Sequence, residues 1–291
     1  MDRLIPGQRA QIEQLIYGSF ADKPGGYQIR FATEGVTDPI AAAVIQRCDN
    51  WGEIRNSRFR NALMTVEIPR PSSGNRDSFT MVDMVTNLGT DAAGRAGAQM
   101  HHVLVLTAPE HQALAYDPFL LIDIGALRTA WDGRPIEGPA EISIPDADAR
   151  HAEVLASLSG SHLRAAFRIA SRIMDGKKCI FWNEEDSQRM RLVMRATWIL
   201  LPLPQRPSLR MATFAFLNRN DFDLASVYSD LAAMESDETV FASEADDRKS
   251  STSGKTRQYL LRIARALNDE DYEEAVRMSR NAVQDGNGGE R

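Results

Sequence analysis

The spacing of hydrophobic residues changes once along this chain of 291 residues, near residue 146. Before that point, the runs "ALMTVEI", "SFTMVDMVT" and "MHHVLVLT" have the length and β-branched content of strands. After it, "SHLRAAFRIASRIM" repeats its apolar residues at helical spacing. We therefore predict an α+β fold. It has a strand-rich N-terminal domain over residues 1–146, a smaller α/β-type middle domain over 147–235, and a charged linker with a C-terminal helical pair over 236–291.

The first half is expected to begin with a β-hairpin followed by a helix. The runs "IEQLIYGSF" and "GYQIRFAT" flank residues 23–26, whose sequence Lys-Pro-Gly-Gly is typical of a loop between strands. In "DPIAAAVIQRC", Pro39 suits the first turn of a helix whose apolar residues form one stripe. The later run "PFLLIDIGALRTAW" is compatible with either a buried strand or a short helix, because a brief apolar run does not fix the period.

The second half predicts a helix, a strand, a second helix and a second strand. The first helix is expected to end at Asp175-Gly176, and "KKCIFW" follows it as a strand. The second helix, within "EEDSQRMRLVMRATWILLPL", opens with acidic residues at 184–186, which suit the positive N-terminus of a helix. Pro202 and Pro204 end it before the strand "LRMATFAF".

Composition narrows the function classes. A net charge of −6 and a pI near 5.5 argue against general nucleic-acid binding, which usually needs a clustered basic surface. No run has the length of a membrane span and the start lacks the apolar core of a signal peptide, so we expect a cytoplasmic protein without membrane insertion. The two cysteines, Cys48 and Cys179, lie too far apart for a cysteine-based zinc motif and are expected to be buried. We predict no cofactor and no metal site.

The octapeptide "KSSTSGKT" at residues 249–256 ends like a phosphate-binding loop. However, Lys249 occupies the first glycine position, and the polar stretch "ASEADDR" precedes it where a P-loop follows a buried strand. We interpret Thr252 or Ser253 as the N-cap of a helix over "RQYLLRIARAL" instead.

Two adjacent histidines, His101 and His102, lie on a predicted strand, so their side chains point to opposite faces. We expect one to be hydrogen-bonded inside the protein or at an edge and the other to be solvated, and the two cannot chelate one metal ion together. Histidine can also act as a general base near neutral pH when a partner orients it. A hydrolase that uses His102 as its base is therefore the alternative to a binding function.

The segments "EQLIYGSFADKPGGYQIRFATEGV" and "GRAGAQMHHVLVL" resemble the N-terminal region of GTPase-associated protein 1, a family of bacterial proteins found beside GTPase-like and effector components of predicted conflict systems. The motif "LPLP" before "LRMATF" is similar to that family's middle domain. The chain departs from the family pattern at Ala96, where proline is common, and at residues 98–100, which replace a more aromatic stretch. The matching positions are Gln14, Leu15, Tyr17, Gly94, Arg95, Gly97 and His102.

The resemblance implies a non-catalytic adaptor or regulatory component whose partner is a GTPase or an effector. Among the matching positions, the candidate binding residues are Tyr17, Gly94, Arg95, Gly97 and His102. The loop "GTDAAGRAG" is expected to be mobile because its glycines allow many backbone conformations. Arg95 is either an anchor for a partner or a phosphate, or a salt-bridge residue that binds back to its own strand.

A second docking element is predicted near the C-terminus. The helix over "RQYLLRIARAL" carries one apolar stripe, and a short amphipathic helix must bury that face somewhere. We predict that it docks on a partner, and the residues of this stripe are Tyr259, Leu260, Ile263 and Leu267.

Overall fold

The computed structural model describes residues 4–55, 58–69, 78–183, 187–228 and 254–282. Within them, nine strands form one sheet in the order β2-β1-β5-β4-β3-β8-β9-β7, and β6 pairs with β1 off this path. Antiparallel pairs join β1 to β2, β5 and β6, and β4 to β3 and β5, whereas β9 runs parallel to β7 and β8. The strands are β1 (Arg9–Phe20), β2 (Lys23–Ala32), β3 (Asn61–Pro69), β4 (Ser78–Thr90), β5 (Ala96–Leu106), β6 (Ala140–Ser143), β7 (Cys179–Asn183), β8 (Met211–Ala215) and β9 (Leu224–Tyr228).

Helices cover both faces of the sheet. Helix α1 packs on one face, and α3 to α8 contribute to the core on the other. None of the helices in the described ranges is long and apolar enough to span a bilayer. The α+β class predicted from the sequence is confirmed. The helices are α1 (Asp38–Trp51), α2 (Ala108–Ala113), α3 (Phe119–Asp123), α4 (Ala147–Ser157), α5 (Gly160–Met174), α6 (Gln188–Leu200), α7 (Gly254–Asn268) and α8 (Tyr272–Asn281), with a 3₁₀ helix at Leu203–Ser208.

The predicted boundary near residue 146 does not separate two cores. Strand β3 of the first part pairs antiparallel with β8 of the second, where Met64 lies opposite Ala212. The larger core cluster also draws residues from both parts, from Ile12 on β1 to Val276 on α8. The chain therefore builds one sheet and shares its hydrophobic core across the boundary.

Most predicted elements are present, with changes at their ends. The hairpin forms, but residues 23–26 belong to β2, so only Ala21 and Asp22 connect the strands. Pro39 lies in the first turn of α1, and the ambiguous segment after Pro118 forms the short helix α3. The predicted α5, β7, α6 and β8 are confirmed. The acidic residues 184–186 lie outside the described residues, and the Ser187 hydroxyl caps α6 by accepting from the N–H of Met190.

The apolar stripe of α7 packs against its own chain. Ile263 is fully buried and Leu260 nearly so, while Tyr259 and Leu267 pack against the larger core. The hydroxyl of Tyr259 donates a hydrogen bond to the carbonyl of Leu200 at 2.8 Å. The prediction that this stripe docks on a partner is therefore wrong, because α7 already packs against α5 and α8. The proposed helix caps Thr252 and Ser253 lie outside the described residues.

A buried arginine attaches the last helix to the rest of the core. Arg206 is 1% exposed, and its guanidinium donates to the carbonyls of Ala115 and Ile199 and to the Ser279 hydroxyl of α8. Burial lowers the pKa of Arg206 to about 10. These hydrogen bonds compensate for placing a cation inside the protein, so α8 is an integral part of the fold.

Candidate functional site

Two tyrosines at one end of the sheet bring several of the predicted binding residues together. Tyr17 on β1 and Tyr27 on β2 have ring centroids 5.7 Å apart. Tyr17 is nearly buried, and its hydroxyl donates to the Asp49 carboxylate at the end of α1, at 3.1 Å. Tyr27 is 40% exposed, and its hydroxyl lies 3.5 Å from the carbonyl oxygen of Gly97. Tyr17 therefore supports Tyr27, which presents part of its ring to solvent.

Gly97 allows a close approach between β5 and the segment after α1. Its φ of +89° favours glycine, and a Cβ there would lie 3.1 Å from the carbonyl oxygen of Ile54. A side chain at this position would push against backbone. The close approach therefore explains why residue 97 is a glycine. The carbonyl of Gly97 faces Tyr27.

The turn between β4 and β5 is closed by one carboxylate. Asp91 accepts the backbone N–H groups of Ala93 and Arg95, both at 2.9 Å, and the Arg95 side chain Nε at 2.8 Å. The hydrogen bond from Arg95 holds the pKa of Asp91 below its usual value. Gly94 adopts φ +75°, and its N–H donates to the Asp91 carbonyl. Arg95 therefore makes the salt bridge that the sequence left as one alternative, although its side chain remains 68% exposed.

Tyr27 and Ile29 are the large apolar side chains of β2 that are exposed. They are 40% and 38% exposed, and Ile29 lies opposite Tyr17 on β1. Burial raises the pKa of the Tyr27 hydroxyl to about 12, with the acids Glu53, Asp49 and Asp91 adding to the effect. We call the group formed by Tyr17, Tyr27, Ile29, Arg95 and Gly97 the Tyr27 surface.

The Tyr27 surface lies on an edge of the sheet. Strand β2 ends the strand order and pairs only with β1 among the described residues. Helix α1 covers the neighbouring strands on the same face, where it buries Val44, Cys48 and Trp51. Exposed acids, Asp49 and Glu53, border the surface. An edge strand with unpaired backbone groups and exposed apolar side chains is a template for another chain.

His102 lies on the opposite face and has no free nitrogen. The N–H of Arg128 donates to its Nδ1 at 2.7 Å, so Nε2 carries the proton and donates to Gln14 Oε1 at 2.9 Å. The Gln14 amide in turn donates to the Gly138 carbonyl at 2.6 Å. Burial and then the charge of Arg128 lower the pKa of His102 to about 4. This histidine joins β5 to the segment of residues 125–139, and it is separate from the Tyr27 surface.

The neighbouring cavity does not reach His102. A cavity of about 770 Å³ opens beside the segment of residues 125–141 and is lined by Gln14, Arg128 and Glu137 among others. His102 is not among the lining residues, and both of its nitrogens are engaged. The geometry therefore gives no support to His102 as a general base.

The expectation that one of the adjacent histidines is solvated is wrong. His101 is fully buried and His102 is 1% exposed, because hydrophobic clusters cover both faces of β5. The buried His111 bonds to the Thr80 hydroxyl at 2.9 Å, and the buried His151 to the Asp117 carboxylate at 2.9 Å. These histidines all take part in internal hydrogen bonds.

Sequence reasoning missed Tyr27, Ile29 and Asp91. The alternation of Tyr27 and Ile29 along β2 indicates a shared face, but only the strand order reveals that this face lies at a sheet edge. Asp91 precedes Arg95 by four residues in a glycine-containing loop, a spacing that allows the turn to close on itself.

No family model matches this chain, and comparison with curated proteins finds no relative. The likeness to GTPase-associated protein 1 therefore stays a hypothesis that rests on the quoted motifs.

Proposed function

We propose that this protein is a non-catalytic cytoplasmic adaptor or regulatory component that binds a protein partner through the Tyr27 surface. The resemblance names the partner class as a GTPase or an effector of a bacterial conflict system. The observation that carries the proposal is the exposed edge strand β2, with Tyr27 and Ile29 on one face.

The chemistry of this edge suits a protein partner. Tyrosine is enriched at protein interfaces because its ring buries a large area while its hydroxyl tolerates water. A partner strand added to β2 would receive main-chain hydrogen bonds, and Tyr27 and Ile29 would supply side-chain selectivity. Asp49 and Glu53 at the border favour a partner segment with basic residues.

The state of the reactive side chains supports a binding function. Both cysteines are buried, and burial raises the pKa of the Cys179 thiol to about 11 and that of Cys48 well above its usual value. A thiol in this state is a poor nucleophile. His102 also lacks a free lone pair. Cys179 therefore acts as a packing residue, and His102 acts as a positioning residue.

The test compares capture of an identified partner by the wild type and by edge variants. The full chain is purified from its native cells, retained proteins are identified by mass spectrometry, and binding is repeated with the purified partner. Tyr27→Lys combined with Ile29→Lys is expected to abolish retention, because charge on this face opposes burial. Leu261→Lys is the matched control, since Leu261 is 60% exposed on α7.

The result expected is a GTPase or effector retained by the wild type and by the Leu261→Lys variant but lost from the double variant. The Leu261→Lys variant should melt like the wild type and the double variant only slightly lower, because Tyr27 and Ile29 are partly exposed. If the double variant retains the partner as well as the wild type does, the interface does not include β2. A wild type that retains no partner under several nucleotide conditions would contradict the adaptor function itself.

A further inference from the structure

Three side chains with metal-binding chemistry meet inside the protein, beneath Tyr17. Cys48 comes from α1, Asp83 from β4 and His101 from β5, and none of the three is exposed to solvent. His101 Nδ1 lies 2.6 Å from Asp83 Oδ2, and Cys48 Sγ lies 4.0 Å from the same oxygen. One ligand atom from each residue lies within 4.8 Å of the other two. The rings of Tyr17 and Trp51 pack against His101 at centroid distances of 6.0 and 6.1 Å.

This cluster is not satisfied by its own hydrogen bonds. Asp83 Oδ1 and His101 Nε2 are buried and have no hydrogen-bond partner within the described ranges. A buried polar atom without a partner costs about 1–3 kcal/mol, and buried polar groups are normally paired. The interior therefore holds thiol, imidazole and carboxylate donors side by side, and Asp83 Oδ1 is open to a cation.

We propose that Cys48, Asp83 and His101 bind a divalent transition-metal ion, and that Zn²⁺ is the ion best suited to them. Zinc accepts thiolate, imidazole and carboxylate ligands, and the thiolate and carboxylate together balance its charge. Binding converts the Cys48 thiol to the thiolate, whose proton leaves to solvent. The proton between His101 Nδ1 and Asp83 Oδ2 moves to Nε2 of the imidazole, so that Nδ1 can hold the ion. Asp83 can bind through both oxygens, because Oδ1 has no other partner among the described residues, so the site has three protein ligands.

The geometry needs only a small adjustment to accept the ion. Tetrahedral ligands at about 2.0–2.3 Å from zinc lie roughly 3.3–3.7 Å from one another. The gap between His101 Nδ1 and Asp83 Oδ2 would widen from 2.6 Å, and that between Cys48 Sγ and Asp83 Oδ2 would narrow from 4.0 Å. Because no solvent reaches the cluster, the site is structural and fastens α1 to β4 and β5.

The test uses the full chain refolded with Zn²⁺ or with Co²⁺, because a sealed site must be loaded as the protein folds. Elemental analysis after gel filtration should give about one metal ion per chain, as a single site requires. The Co²⁺ protein should show the intense absorption of a cobalt–thiolate bond. Cys48→Ala and His101→Gln should each lose stoichiometric metal, whereas Cys179→Ala, the matched buried cysteine, should retain it.

Metal analysis of the wild-type chain tests the proposal even if the Cys48 variant fails to fold. A wild-type chain that refolds with less than about a tenth of an ion per chain, and without the cobalt–thiolate band, would overturn the proposal. Retention of metal by Cys48→Ala together with its loss from Cys179→Ala would also overturn it. A higher melting temperature after refolding with Zn²⁺ than with chelator, seen in the wild type and in Cys179→Ala, is the supporting result.

Discussion

His101 and His102 are neighbours on β5, yet they lie in different surroundings on opposite faces of the sheet. His102 has both nitrogens engaged, by Arg128 and Gln14, and holds a loop segment to the sheet. His101 bonds to Asp83 through Nδ1, while its Nε2 has no partner among the described residues. Strand alternation separates the two side chains, and the elements that cover each face then decide what each histidine does.

The largest expected effect comes from breaking the His101 pair. Replacing Asp83 by Ala leaves the buried imidazole without its partner and opens a cavity. The buried imidazole left without a hydrogen-bond partner costs about 1–3 kcal/mol of unfolding free energy, and the cavity left by the carboxylate adds to this loss. Urea unfolding of the metal-free chain measures this. A loss below about 1 kcal/mol, the usual range for an exposed pair, would show that Asp83 and His101 are not coupled in a dry interior.

Acid should destabilise the His102 face. Burial lowers the pKa of His102 to about 4, whereas an unfolded histidine titrates near 6.5. Below pH 6.5, His102 binds a proton in the unfolded chain but not in the folded chain. The free energy of unfolding therefore falls as the pH is lowered, until pH 4 is reached. The loss is about 3 kcal/mol for this group, from a shift of roughly 2.5 pH units.

His111, whose pKa burial also lowers to about 4, adds a loss over the same pH interval. Urea midpoints measured between pH 7 and pH 4 should therefore slope steeply in the wild type and less steeply in His102→Gln. A variant with the wild-type slope would mean that His102 is protonated in the folded state.

A smaller effect is expected at Gln14, which connects His102 to the Gly138 carbonyl. Gln14→Ala leaves the buried Nε2–H of His102 without an acceptor, at a cost of about 1–3 kcal/mol. Gln46→Ala is the control, because Gln46 is exposed on α1 and its replacement should change stability by less than about 0.5 kcal/mol. If the two variants are equally destabilised, Gln14 does not position His102.

The smallest effect on stability is expected at Arg95, in the turn that leads into β5. The Asp91 carboxylate still accepts two backbone N–H groups in Arg95→Ala, so the turn should keep its shape and the melting temperature should change little. Partner retention then decides whether the exposed guanidinium is an anchor. Weaker retention with unchanged melting assigns Arg95 to the interface, and a clear drop in melting temperature assigns it to the scaffold.

Local patterns predicted the fold class and most elements, because helical spacing in α5 and strand-like runs in β3 to β5 depend on nearby residues. They missed β6, β9 and the helices α2 and α4, whose segments are short or polar. They also divided the chain at residue 146, since the pairing of β3 with β8 is set by contacts across roughly 150 positions.

The candidate site was only partly predictable, because it also depends on contacts between residues far apart in the sequence. The stripe on α7 correctly indicated a buried face, but the sequence did not reveal that its own chain covers it. Cys48, Asp83 and His101 lie on three elements, so no motif spacing connects them. Tyr17, Arg95 and Gly97 were named in advance, and Tyr27, which brings them together, was not.

The most direct test of the account is amide hydrogen exchange of the full chain with and without its purified partner. Binding at the Tyr27 surface should slow exchange in residues 23–32 of β2 and in the turn at residues 91–95. Exchange in α7, residues 254–268, should stay the same, because that helix is already packed against the core. Protection of α7 or of the segment at residues 125–139, with β2 unchanged, would contradict the proposed docking edge.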